Sequence, residues 1–246
     1  QDFSDNKGIL RLAEKCNGSG DCRKPASMGG TMCPSYRATK NEKDTTRARA
    51  NTLREFLTNS EQVNKFNHKE LKEVFDLCLS CKACASECPS NVDVAALKSE
   101  FVYQYQESNG YSCRSKLFAN NVKYNNLGSI FPWFTNLMLN TYPTKKSMGV
   151  ATQRSVPKLA NTTFFKWIQK QPIRNHSKEI YLFVDEFSNY YDVDIAKDTY
   201  ELLDRLGYKV IVIQHDESGR SFISKGFLKE AKELANKNVE LFSSVI

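Results

Sequence analysis

The 246-residue chain lacks several things at once. No apolar run reaches the roughly 18 residues a membrane-spanning helix needs. The best stretch, Ile130 to Leu139, is short and interrupted by Pro132 and Asn136. An integral membrane protein is therefore excluded. The start, Gln1-Asp2-Phe3-Ser4, leads into no apolar segment, so it does not read as a signal peptide. A first residue of Gln rather than Met is read as the mark of a fragment or a processed chain. There is no Walker motif and no G-x-G-x-x-G, so the usual phosphate cradles are missing. Histidine is scarce, and His68, His176 and His215 are scattered. No catalytic set is legible, and no site where a substrate bond would break. Cysteine disappears after position 113.

What is present is a composition with enough apolar residues, 40%, to build a core. That argues against wholesale disorder. The chain carries 35 basic and 28 acidic residues, a net charge of +7. The charge is read as a dispersed, solvated basic surface rather than a nucleic-acid stripe, so no nucleic-acid partner is expected.

Cysteine is the informative residue. Eight stand at 16, 22, 33, 78, 81, 84, 88 and 113, and four of them fall within eleven residues. A chain this long does not need disulfide staples, and clustered thiols in a non-secreted chain read as metal ligands. Cys78-x2-Cys81-x2-Cys84-x3-Cys88-Pro89 has the bacterial ferredoxin spacing for a [4Fe-4S] cluster. Three thiolates at two-residue intervals on a tight loop point at three corners of one cube. The fourth lies too far along the chain and serves a second cluster, and Pro89 turns the chain away. Zinc knuckles instead separate their Cys pairs by a long spacer.

Cys16-x5-Cys22 and Cys33-Pro34 form a degenerate copy of that motif, with Ser19 where its second Cys would stand. Crossed pairing gives one cluster Cys78, Cys81, Cys84 and Cys33. The second receives Cys16, Cys22 and Cys88. Three thiolates suit a [3Fe-4S] cluster, or a [4Fe-4S] cluster whose labile iron is held by Ser19, water or another group. The alternative is that Cys16 and Cys22 are idle and one cluster forms. Cys113 is read as a small packing residue.

The expected class is α+β, in three parts. Residues 1–110 form a mostly α-helical, ferredoxin-like double-cluster domain. Residues 111–177 form a helical connector. Residues 178–246 form part of a parallel α/β domain. The segment 1–40 is loop-rich. Helices are expected over 44–58, capped by Asp44 or Thr45, and over 68–79 with Leu71, Val74, Phe75 and Cys78 on its apolar face. A third follows an Asn91 or Asp93 cap and ends near Asn109-Gly110. In the connector, Phe131, Trp133 and Phe134 are expected to pack locally rather than meet lipid headgroups or a partner. Strands are expected over 180–184 and 209–213, with a helix between them over 194–206 and another over 225–241. This is a right-handed parallel βαβ unit. Two parallel strands leave a face and both edges bare, a second sign of membership in something larger.

The run Cys16-NGSGD-Cys22-RKPASMGGTM-Cys33-PSYRATKNEKDTTRARANTLR resembles the start of the iron–sulfur portion of FAD-linked 2-hydroxyacid dehydrogenases. That class includes D-lactate, glycolate and D-2-hydroxyglutarate dehydrogenases. The run from Asp76 to Phe101 resembles its second motif, and the likeness resumes over Glu179 to Ala196 and again over Gly219 to Asn238. The missing second Cys also resembles the iron–sulfur subunit of succinate dehydrogenase. The resemblance implies FAD in a missing domain or a partner subunit. Single electrons would pass from flavin through the clusters to a quinone, cytochrome or other carrier. It implies a cytoplasmic protein, peripheral on the inner face of the membrane, and a final domain that is one half of a heterodisulfide-reductase-like fold. Where many relatives place Cys-Cys-Gly, this chain has Asp216-Glu217-Ser218-Gly219, so a further cluster there is not expected. Arg47 and Arg49 lie in the family's Thr-Arg-x-Arg-Ala stretch, where they would face cluster charge or the flavin domain. Other readings are a subunit of a glycerol-3-phosphate or succinate-type dehydrogenase, and a zinc-dependent nucleic-acid-binding module.

Overall fold

The computed structural model describes residues 1–172 and 176–245. Residues 173–175 of the expected connector lie outside the described residues. The chain is mostly helical, 58% helix against 3% strand, so the α component of the α+β expectation dominates. It divides into two compact units. One comprises Gln1–Ser112 with Phe222–Lys229, the other Cys113–Ser221 with Glu230–Ile246.

In the first unit α1 (Ile9–Glu14) and α2 (Pro34–Thr39) are single-turn pieces inside a loop-rich stretch. They escape sequence reading because neither has a side-chain cap and each is too short to show a period. The helix α3 (Thr46–Asn59) starts at Thr45, whose hydroxyl accepts the Ala48 amide at 3.0 Å. Next come α4 (Lys69–Asp76) and α5 (Ala83–Glu87), a short helix within the cysteine run. The long α6 (Val94–Asn109) is capped by Asp93, whose carboxylate accepts the Ala96 amide at 3.0 Å. It ends at Gly110, where φ is positive. Leu12, Ala50, Leu53, Leu71, Phe75, Leu97 and Phe101 form the core between these helices. Phe75 stacks on Phe101 at 5.1 Å. The expected helix over 68–79 stops at Asp76, so Cys78 lies beyond it rather than on its apolar face.

In the second unit short helices follow one another: α7 (Cys113–Ala119), α8 (Asn121–Gly128), α9 (Pro132–Leu139), α10 (Tyr142–Ser147) and α11 (Phe164–Ile168). Cys113 is exposed, which corrects its reading as a packing residue. Strand β1 (Lys178–Tyr181) leads through α12 (Glu186–Tyr190) and α13 (Val193–Arg205) to β2 (Tyr208–Ile211). The strands pair in parallel, with Lys178 opposite Tyr208 and Tyr181 opposite Ile211. The helices α14 (Arg220–Ser224) and α15 (Leu228–Ser243) end the chain. Phe164, Val184, Val193 and Ala196 make a small core beside the strand pair. On α13, Ile195 and Leu202 are exposed, as is Leu206 just beyond its end.

Candidate metal centre

All eight cysteines are free thiols. Cys22, Cys33 and Cys84 lie inside the core of the first unit, and Cys16, Cys78 and Cys88 pack against it. Cys81 is exposed. Two stretches of chain more than forty residues apart thus bring their sulfurs to one core.

The first set gathers at the start of α3. The Thr46 amide donates to Cys33 Sγ at 3.0 Å, and the Thr46 hydroxyl lies 2.9 Å from the same sulfur. Burial raises the Cys33 thiol pKa, opposed by those two Thr46 groups. Cys22 is also raised by burial, opposed by the Arg47 amide and then the Thr45 hydroxyl. The second set repeats the device at α6. Burial pushes Cys84 up to about 11, and the amides of Val94 and Ala95 oppose it. Helix N-termini carry unpaired N–H groups and a partial positive charge, which suits anionic sulfur. As bare thiols these groups stay protonated, whereas a coordinating metal deprotonates a thiol outright.

The turn around Cys81 is held in an unusual shape. Ser80 and Lys82, either side of Cys81, both have φ near +55°, at 53° and 61°. Cys33 also lies in the left-handed region, at 53°. Such residues cost about 1–3 kcal/mol each and persist where surroundings over-determine them. The turn presents Cys78 and Cys81 from a non-helical backbone and leads into α5, which carries Cys84.

One carboxylate ties the two motifs together. Glu87, next to Cys88, accepts the amides of Thr31 at 2.8 Å and Met32 at 2.9 Å, two residues before and next to Cys33. Gly30 makes this possible. A Cβ there would stand 2.7 Å from the Glu87 carboxylate, and its φ of +66° favours glycine.

Arg47 and Arg49 have different surroundings. Arg47 pairs with Glu42 at 2.7 Å and lies within electrostatic range of Cys16 and Cys22. Arg49 is buried. It donates to Val74 O at 3.0 Å, Ser35 Oγ at 3.0 Å and Asp44 O at 2.8 Å. It fastens α2, α4 and the entry to α3, and reaches Cys33 only as a nearby charge. Sequence reading missed Thr46, Glu87 and Lys98. Lys98 donates to the Cys78 carbonyl, and its pKa is lowered by burial. Glu87 had one signal, its place beside Cys88 in the cysteine run; Lys98 had none. Among the described residues no three His, Cys, Asp or Glu side chains are placed to hold one metal ion. A cluster spreads its thiolates over separate irons, so its donor set is wider than that. Seven free thiols and N–H donors aimed at three of them fit such a group.

Residues 15–93 match the family model of the 4Fe-4S dicluster domain. The chain as a whole is similar to D-2-hydroxyglutarate dehydrogenases. It is 26% identical to that of Escherichia coli (strain K12) over 95% of this chain and 28% of the relative. It is 26% identical to that of Haemophilus influenzae over 94% and 27%, and 25% identical to that of Pantoea ananatis over 96% and 28%. The chain spans little more than a quarter of the length of these relatives. No solved structure matches it. The likeness to the iron–sulfur portion of a 2-hydroxyacid dehydrogenase therefore holds across nearly the whole sequence.

Proposed function

We propose that this chain is the electron-transfer segment of an FAD- and iron–sulfur-dependent dehydrogenase. The larger enzyme would oxidise a 2-hydroxy acid of the D-2-hydroxyglutarate, D-lactate or glycolate type to the 2-oxo acid. The observation that carries the reading is the convergence of two cysteine runs on one core, with sulfurs at the N-termini of α3 and α6.

Cys78, Cys81, Cys84 and Cys33 are proposed to hold a [4Fe-4S] cluster. Cys16, Cys22 and Cys88 are proposed to hold a second, [3Fe-4S] or [4Fe-4S]. Bound clusters supply one-electron redox chemistry, which a hydride-accepting flavin needs in order to reach a one-electron carrier. The chain's own residues exclude water with Leu71, Phe75 and Phe101 and steady the sulfurs with amide donors. Arg47 is proposed to offset negative charge near Cys16 and Cys22, and Arg49 to position α3 beneath Cys33. FAD and the substrate are proposed to belong to another domain or subunit. The acceptor would be a quinone, cytochrome or other carrier. A cytoplasmic location, peripheral to the inner membrane face, goes with that acceptor class.

The test is reconstitution of the chain under anaerobic conditions, with iron, acid-labile sulfide and zinc measured. The expected result is about seven or eight iron per chain with matching sulfide and brown visible absorption. A colourless, zinc-loaded chain with salt-sensitive DNA binding would overturn the reading. Cluster-bearing chain that accepts electrons only from a succinate- or glycerol-3-phosphate-type flavin subunit would move it to that class.

A further inference from the structure

We propose that the outward face of α9 is a docking element for an anionic lipid surface. This gives the peripheral location proposed above a specific contact surface and does not depend on the clusters.

The helix is inside out. Phe131, which enters it, and Trp133, Phe134, Leu137 and Met138 are exposed, Trp133 at 69%. This corrects the expectation that the aromatics pack locally. The opposite face is polar and is consumed by hydrogen bonds. The Thr135 hydroxyl donates to Gly128 O at 3.0 Å. Asn136 donates to Leu159 O at 2.9 Å and accepts the Leu159 amide at 2.8 Å. Asn140 accepts the Val156 amide at 3.0 Å. Rolling the helix to bury its apolar side would break all four. At the end of α8, Gly128 lets Thr135 and Leu159 approach closely, since a Cβ there would meet them at 2.9 Å and 3.0 Å.

The stretch of chain that carries this face is charged with one sign only. Between Glu107 and Glu179 the chain contains no Asp or Glu and eleven Lys and Arg. This corrects the reading of a dispersed positive charge. Lys123 on α8 and Lys146 on α10, the helices flanking α9, are both exposed. A second copy of the chain would bring like charges together. An anionic bilayer offers both the apolar phase for the aromatics and the opposite charge for the lysines. Tryptophan and phenylalanine with flanking cations are the residues that settle at a membrane–water boundary. No helix among the described residues is long and apolar enough to cross a membrane, so the contact is superficial.

The test is co-sedimentation of the 246-residue chain with phosphatidylcholine vesicles, with and without phosphatidylglycerol. Binding is expected only with the anionic lipid, weakened by salt. The pair Trp133→Ser and Leu137→Ser is expected to weaken it at least about tenfold, with an unchanged melting curve because both side chains are exposed. If that pair unfolds the chain, Lys123→Glu with Lys146→Glu serves instead and is expected to weaken anionic binding similarly. Absence of vesicle binding, or equal binding to neutral vesicles, would overturn the proposal. So would a concentration-dependent dimer dispersed by the same substitutions.

Discussion

The Glu87 carboxylate accepts the Met32 amide at 2.9 Å across fifty-five residues of sequence. It thereby holds the end of one cysteine motif against the end of the other. Its pKa is lowered, first by the Thr31 hydroxyl and then by the Met32 and Thr31 amides. A carboxyl with a depressed folded pKa contributes stability above its unfolded value, and loses it as pH falls through the folded value. Glu87→Ala should lower the melting temperature of the cluster-free chain at pH 7. The difference from wild type should begin to narrow near about pH 4 and close only below the lowered folded value. A difference that persists unchanged into acid would show that Glu87 acts by packing alone.

Thr46 places two donors on the Cys33 sulfur. Thr46→Val keeps the shape and the amide but removes the hydroxyl. A donor to sulfur stabilises the reduced, more negative state, so its loss should lower the midpoint potential of one centre. The expected size is on the order of tens of millivolts. Redox titration followed by EPR checks it, and an unmoved potential would separate Cys33 from the clusters.

Arg49 and Asp44 are both buried, 3.7 Å apart. Arg49→Met should leave Asp44 without its counter-charge and cost about 3–5 kcal/mol in urea unfolding. Arg49→Lys should recover only part of this, because one ammonium cannot reach Val74, Ser35 and Asp44 together.

Glu217 has a pKa pushed up to about 7, by burial first and then by Glu186 and Asp216. The folded state then holds a proton that the unfolded state releases near the ordinary carboxylate range. Stability should fall as pH rises from about 4.5 to about 7. Glu217→Gln should flatten that slope and stabilise the chain at pH 8. Because the side chain is only half-buried, the gain should be about 1–2 kcal/mol. Thermal melts across that range would expose an error as an unchanged slope.

Cys81→Ser should remove the [4Fe-4S] signal while leaving the second centre visible by EPR. Ser19→Cys should convert a three-iron spectrum to a four-iron one. Ser19 is exposed, so the substitution itself should cost less than about 0.5 kcal/mol. An unchanged spectrum in the Ser19 variant would count against the crossed sharing of ligands.

Much of the helical frame was legible in the sequence. Thr45 and Asp93, each one of two candidates the sequence offers, cap α3 and α6. The parallel pairing of β1 and β2 follows from the strand–helix–strand order. The short helices α1, α2, α5, α12 and α14 were not legible, because five or six residues carry too little period to register. On α13, Ile195 and Leu202 share a face and are nonetheless exposed. Spacing reports which residues share a face, and nothing about whether anything covers it.

Sequence alone determined the chemistry: thiol spacing is a local property, and Cys78, Cys81, Cys84 and Cys88 carry it in eleven residues. It also determined that the stretch containing α9 carries no acidic residue between Glu107 and Glu179. Tertiary structure decided which amides face which sulfurs, which arginine is a buried fastener, and that the polar side of α9 turns inward. Those outcomes depend on partners such as Thr31, Val74 and Leu159 that lie tens of residues away, and only packing selects among them.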